Sequence, residues 1–484
     1  MRSLISLLIT FFLGCGPTHD LRRTEEGSPS LLPSVSPFPV LKETIDAFLP
    51  DSLFPPASVG IKIVSLTRGE TLYELNPLHL FTPASNQKLL TSAAALAMLG
   101  PEHEFVTDVF VDSLLESRIV LRGGGDPLMA TADVDSIARS LASILNRSKK
   151  WSLFADISCF DSLVWGKGWM WDDEPSADAM FISPLSVNGN CIGLRFTSGS
   201  MPGEGVTVEM IPKTTFATID NQAVTVPKSA DDSLMIQRTW NGTNRIAIGG
   251  TLALNDTIEE QVSIRNPDAY FLTLLAERLR SYGISASVEG RNAVEQGRTA
   301  ALRFSRNLAA VAAFMNKESD NLSAENVLRI LGSVRHGSPG TAEKGLHVVR
   351  EFLSSKGIDT SRVVLVDGSG VSRYNLISPE VITQLLAALY ADRNSFSTFY
   401  NSLAVAGRDG TLEKRMRGSA AAGVIHAKTG SLAGVSSVSG YAETADGEML
   451  AFSIMMQNFP AGHRHYREVQ DRIMLCISAI IRGR

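Results

Sequence analysis

Three short clusters carry side chains that could perform acyl transfer. The first is Ser85-Asn86-Gln87-Lys88, preceded by Pro83-Ala84, at the start of a helical pattern. Three residues of spacing place Ser85 and Lys88 one turn apart on the same helix face. A neutral lysine there could accept the serine proton, and the helix N-terminus favours the developing negative charge. Alone the pattern is weak, because serine is a common N-cap and S-x-x-K arises by chance about once in a chain this long. The second cluster is Ser319-Asp320-Asn321. Its hydroxyl and amide could relay a proton and bind a substrate amide, or could simply cap the helix that follows. The third is Lys428-Thr429-Gly430-Ser431. Lys428 would supply a fixed positive charge, Thr429 and Ser431 could bind a carboxylate, and Gly430 lets the backbone approach a ligand closely. The structural alternative is an edge strand with an exposed lysine.

Hydrophobic periodicity places the clusters on elements. A short amphipathic helix is expected over 41–48, then an antiparallel pair of strands over 58–65 and 71–75 joined by a turn at Arg68-Gly69. An Ala/Leu-rich helix over 85–99 stops at Gly100-Pro101. From about 103 to 296 the texture changes. Strands are expected at 105–111 and 119–121 and helices at 134–145 and 267–282. Short β-like segments at 206–211, 223–226 and 245–248 lie between turn residues. Helices return at 307–314, 323–331 and 379–391, followed by strands 435–442 and 450–457 and an amphipathic helix at 466–481. The reading is an α/β (α+β) chain whose main domain is made of 39–102 and 297–484. Residues 103–196 and 253–296 form an inserted domain, and 197–252 a small all-β domain nested within it.

Together, in this order, the clusters resemble the S-x-x-K, S-D-N and K-T-G signature of the penicillin-interacting serine acyltransferases. The flanking sequence is similar to D-alanyl-D-alanine carboxypeptidase/endopeptidases of the class C, penicillin-binding-protein-4 type. The matching stretches are 81–90 (FTPASNQKLL), 121–128 (LRGGGDPL), 168–173 (GWMWDD) and 315–325 (MNKESDNLSAE). To these are added 367–375 (DGSGVSRYN), 403–412 (LAVAGRDGTL) and 426–432 (HAKTGSL). The resemblance implies a transpeptidase-like domain, an antiparallel sheet between helix layers, with two domains inserted between the first and second motifs. It implies removal of the terminal D-Ala from peptidoglycan stem peptides, or hydrolysis of D-Ala–diaminopimelate cross-bridges, with β-lactams as covalent inhibitors. Carried over residue by residue, it makes Ser85 the nucleophile and Lys88 its general base. Ser319 relays a proton toward the leaving amine, and Asn321 binds the substrate amide. Lys428 tunes the proton network and, with Thr429 and Ser431, holds the terminal carboxylate. Backbone N–H groups of Ser85 and Ser431 would form the oxyanion hole. Arg373 and Asp173 match positions that contact the side-chain end of the stem peptide, with adjacent Asp172 leaving the register open by one. Ser431 departs from the threonine common after K-T-G but keeps the hydroxyl. A β-lactamase shares the three motifs, and a non-catalytic cell-wall-binding scaffold could keep the fold, so both stand as alternatives.

Composition bounds the rest. The 484 residues are 44% hydrophobic and 20% charged, an ordinary globular balance, and the net charge of −5 comes with no basic block for nucleic acid. Arg2 and the apolar run 4–13, too short to span a bilayer, read as an export signal. Gly14-Cys15 then resembles the cleavage-and-lipidation site of bacterial lipoproteins, although Phe12-Leu13 fits that motif poorly and a simple cleaved signal is the alternative. Residues 16–38 read as a Pro/Ser-rich tether. The expectation is an exported, periplasmic protein whose only membrane contact is the lipid on Cys15. A Cys159–Cys191 bridge is open, and Cys476 reads as a buried small hydrophobe. His463 and His465 lack metal-ligand spacing and read as a solvated loop; no metal or organic cofactor is implied.

Overall fold

The computed structural model describes residues 39–49, 57–112, 117–238, 242–291, 294, 299–460 and 462–482. The export signal, Cys15 and the 16–38 tether lie outside the described residues.

The two ends of the chain build one sheet. The first helix, α1 (Pro39–Ala47), leads into β1 (Ser58–Ser65) and β2 (Glu70–Leu75). Helix α2 (Gln87–Leu99) carries Lys88, and α3 (Asn321–His336) begins on the last residue of S-D-N. After α4 (Pro379–Ala391) come β3 (Ala404–Val405), β4 (Ile425–Leu432), β5 (Val435–Glu443), β6 (Met449–Gln457) and α5 (His463–Ser478). The six strands lie in the order β3-β4-β5-β6-β1-β2, every pair antiparallel. Sequence-distant β1 and β6 are therefore zipped together, with Ile61 opposite Ile454.

Both faces of this sheet are covered, so its strands read as nearly continuous apolar runs. On β6, Leu450, Phe452, Ile454 and Met456 alternate onto the face shared with Ile45 of α1 and Val469, Ile473 and Ile477 of α5. Ala451 and Met455 point the other way, into a core with Leu385 of α4 and Leu89 of α2. Each large side chain so buried contributes about 1.5–3 kcal/mol. From Leu89 on, helix α2 is apolar or small all round, and it is buried from Gln87 to Leu96, which marks it as the core's central helix. The antiparallel sheet between helix layers is thus as expected.

The inserted stretch has its own core, including Leu121, Ile137, Trp151, Leu153 and Phe271. A five-stranded sheet there runs in the order Ser285–Arg291, Lys150–Asp156, Arg118–Gly123, Glu104–Asp112 and Leu302–Asn307. Its last strand lies past residue 296, the expected end of the insertion, because Leu302 pairs with Val109 and Arg303 with Asp108. Nearby, Cys191–Thr197 pairs with Thr257–Ser263 and Thr207–Ile211, so the β-rich piece outgrows 197–252 on both sides. Cys159 and Cys191 are free thiols, not a bridge. Cys476 is partly rather than fully buried. His463 and His465 sit in the first turn of α5, not in a loop.

Candidate active site

Ser85 does not start the regular helix. It lies in a single 3-10 turn, Ala84–Asn86, directly before α2. Ala84 adopts φ 48°, a left-handed conformation costly for a residue with a Cβ. Two glycines let other segments press on this turn. A Cβ on Gly370 would stand 1.8 Å from the Ala84 carbonyl oxygen. One on Gly430 would stand 2.8 Å from the Pro83 oxygen and 2.9 Å from the Ser85 nitrogen. Strand β4 can therefore lie flat against the nucleophile's backbone only with glycine at that position. Ser437 donates to the Pro83 oxygen at 2.7 Å, and Asn86 donates to Ser439 at 2.7 Å, fastening the turn to β5.

Lys88 is wholly buried one turn below. Its Nζ lies 2.5 Å from Asn321 Oδ1, 2.8 Å from the Ser369 carbonyl oxygen and 2.9 Å from Ser85 Oγ. Two of its three tetrahedral directions meet pure acceptors, which hold protons. The third faces the hydroxyl, where a neutral lysine would present its lone pair. Burial pulls its pKa from 10.5 down to about 8, resisted by the negative charges of Asp320, Asp367, Glu325 and Asp178. At pH 7 such a group is neutral in about one molecule in ten, enough for a base near its working point.

A buried polar layer holds this network. Glu325, one turn along α3 from Asn321, accepts from the backbone N–H of Gly368 at 2.9 Å and of Ser369 at 3.0 Å, and pairs with Arg329 at 3.0 Å. Asp367 accepts from Trp169 Nε1 at 3.0 Å, Asn375 Nδ2 at 2.7 Å and the Ser372 N–H at 2.7 Å. Burial, reinforced by the charge of Glu325, pushes Asp367 up to about 6. The residues of 168–173, 315–325 and 367–375 therefore meet behind Ser85.

The other two clusters complete the walls. Ser319, at φ 63°, and Asn321 line a groove of about 860 Å³ with Ser85, Thr429, Gly430 and Ser431. Asp320 caps α3 through the Ser323 N–H at 2.6 Å. Asn321 also donates to the Asp178 carbonyl oxygen at 2.7 Å, which fixes its amide between Lys88 and the groove. Lys428 is wholly buried behind β4, its Nζ donating to the Thr429 carbonyl oxygen at 2.9 Å. Burial and the charge of Lys88 press its pKa well below the ordinary value.

Residues 41–479 match the sequence profile of the peptidase S13, D-Ala-D-Ala carboxypeptidase 3 family. The chain belongs to that family. It is a serine D,D-peptidase. It is 36% identical over 439 residues to a D-alanyl-D-alanine carboxypeptidase of Actinomadura sp., covering 86% of this chain and 80% of that one. It is 25% identical over 422 residues to the D-alanyl-D-alanine carboxypeptidase DacB of Haemophilus influenzae, covering 84% and 86%. The fold is similar to that of crystalline penicillin-binding protein 4 from Haemophilus influenzae, with a TM-score of 0.79, 23% identity and coverage of 89% and 97%.

The peptidase separates the two candidate aspartates. Asp173 lines the groove and accepts from the Met170 N–H at 2.7 Å, whereas Asp172 lines only the adjoining hollow beside Trp171 and Arg238. Arg373 is not on the groove wall; its guanidinium donates to the Ala433 carbonyl oxygen at 2.9 Å, in the turn after β4. Trp169, Glu325 and Asp367 were assigned no role from sequence. Glu325 had a signal, since four residues from Asn321 is one turn on the same helix face.

Proposed function

We propose that this peptidase works through an acyl-enzyme on Ser85. Ser85 Oγ attacks the carbonyl of the penultimate D-Ala while Lys88 Nζ takes its proton. The backbone N–H groups of Ser85 and Ser431 hold the oxyanion, a contribution of about 3 kcal/mol per donor. Asn321 holds the substrate amide, Ser319 passes a proton to the leaving nitrogen, and water then releases the acyl group. Thr429 and Ser431 receive the leaving group's carboxylate, with Lys428 behind them, while Asp173 meets the far end of the stem peptide. The observation that carries this reading is the 2.9 Å contact between Ser85 Oγ and a buried amine whose pKa is about 8.

The substrates on this reading are peptidoglycan stem peptides, trimmed at the terminal D-Ala or cut at D-Ala–diaminopimelate bridges. β-Lactams would acylate the same serine, because their strained amide mimics the scissile one. The setting proposed is the periplasm, with a lipid on Cys15 as the tether. A fluorescent penicillin should label the wild type and not Ser85→Ala, and D-alanine should be released from an acyl-D-Ala-D-Ala peptide. Rapid penicillin hydrolysis without peptide cleavage would instead make the protein a β-lactamase. Radiolabelled palmitate should enter the wild type and not Cys15→Ser; an unlabelled wild type removes the anchor.

A further inference from the structure

We propose that Arg467, on α5, is the cation that selects a leaving group bearing a free carboxylate. This rests on the acyl-enzyme reading above and deepens it at the leaving-group end of the same groove.

A carboxylate drawn from water needs a partner with both positive charge and free donors. Lys428, the motif's own cation, is poorly placed to be that partner. It is wholly buried, its Nζ points to the Thr429 carbonyl, and its environment disfavours the ammonium. The remaining cations on the groove wall are Lys414, Arg415, Arg464 and Arg467. Arg415 is neutralised by Asp471 at 2.7 Å, and Arg464 by Glu468 at 2.9 Å. Lys414 is exposed and makes no hydrogen bond to the motif among the described residues. Arg467 differs from all three. Its Nη2 donates to Ser431 Oγ at 3.1 Å, and among the described residues no carboxylate pairs with it. The acids one turn along α5, Asp471 and the adjacent Glu468, are already taken by Arg415 and Arg464.

A guanidinium has five donors in a planar fork, and Ser431 uses one of them. The others remain for a bidentate grip on a carboxylate whose second contact is the Ser431 or Thr429 hydroxyl. The groove also carries Asp173, Asp178 and Glu318 from segments outside α5, whereas the two acids that α5 itself contributes, Glu468 and Asp471, are paired. Arg467 is therefore the α5 charge left to meet a carboxylate at the peptide's terminus. The D-alanine of a carboxypeptidase cut and the D-centre of diaminopimelate in a cross-bridge cut carry the carboxylate on the same carbon. Arg467 would accept both and disfavour a leaving group whose carboxyl is an amide.

The test compares acyl-D-Ala-D-Ala with its C-terminal amide, using wild type, Arg467→Ala and Arg467→Lys. The wild type should prefer the free acid, and Arg467→Ala should lower kcat/KM on the acid about 30–100-fold, chiefly through KM. The acid-to-amide ratio should collapse, with Arg467→Lys in between because it keeps the charge but not the fork. Acylation by benzylpenicillin should fall in parallel, and acylation by its methyl ester should not, which also reports that the variant is folded. An equal loss on acid and amide, or no loss on either, overturns the proposal while leaving the acyl-enzyme reading intact. A wild type that neither releases D-alanine nor is acylated by penicillin or its ester overturns both.

Discussion

Two lysines stand behind Ser85, equally buried and carrying the same ionisable group, and their surroundings differ. Lys88 lies among the charges of Asp320, Asp367, Glu325 and Asp178 and reaches Ser85, Asn321 and the Ser369 carbonyl. Lys428 has one hydrogen bond, to the Thr429 carbonyl, and the opposing charge it feels is that of Glu318. Burial disfavours the ammonium of both amines. The carboxylates around Lys88 bring it back to about 8, where it can take and return a proton within one cycle. Lys428 has only Glu318 to offset its burial, and on the proposed reading its part is to bias the proton held by its neighbour.

The largest effect should come from breaking the richer of the two environments. Lys88→Met removes the base and leaves Asn321 Oδ1 and the Ser369 carbonyl without their partner. Acylation by fluorescent penicillin should slow about 10³-fold, within the span typical of a lost general base. The melting temperature should also fall, since each buried acceptor left unpaired costs about 1–3 kcal/mol. In the wild type, kcat/KM should rise with pH through a limb near 8, because the base works only when neutral. A flat profile from pH 6 to 9 would remove Lys88 from the role.

The route by which this environment arises was only partly legible in the sequence. The three clusters were readable because each packs its chemistry into three or four adjacent residues. The β1 and β2 pair was readable from two strand-like runs around the Arg68-Gly69 turn, and α4 from the helical run that starts at Pro379. Two of the charges that tune Lys88 were not. Asp178 and Asp367 reach it from separate loops, and Trp169 meets Asp367 from 198 residues away. Such contacts exist only after the insertion has folded back over α3. The strand Leu302–Asn307 was missed for a related reason. Its exposed positions carry Arg303 and Ser305, and it earns its place through the Asp108 ion pair and pairing with a distant strand rather than through an apolar run.

The second way to sharpen the comparison is Lys428→Met, which keeps the length and apolar stem of the side chain and removes the amine. One backbone hydrogen bond is lost, so thermal stability should hold or rise, as when a poorly compensated buried polar group gives way to an apolar isostere. To the extent that Lys428 holds a proton against its burial, removing it makes the Lys88 ammonium easier to keep, so the pKa of Lys88 rises and the basic limb moves upward, by at most about one pH unit. At pH 7 this would cost up to about tenfold in acylation rate, largely recovered at pH 9. A rate deficit independent of pH would mean that Lys428 acts on substrate directly.

The smallest and most discriminating change is Asp320→Asn. Asp320 heads the charges that raise the pKa of Lys88, and its hydrogen bonds go to Ser323 at the start of α3, where it caps the helix. Asparagine caps helices about as well as aspartate, so the helix and Asn321 should stay in place. What disappears is a negative charge. The Lys88 ammonium is then less stabilised, its pKa falls, and the basic limb should move to lower pH, opposite in sign to Lys428→Met. Burial itself pushes the Asp320 carboxyl upward, which bounds the shift, because only the fraction ionised at the working pH acts on the lysine. A displacement of about half a unit to one unit, with the maximal rate at high pH unchanged, is the expected result. If the limb stays fixed while the maximal rate falls, Asp320 acts by placing Asn321 and not through its charge. The contrast between the two lysines would then rest on Asp367, Glu325 and Asp178 alone.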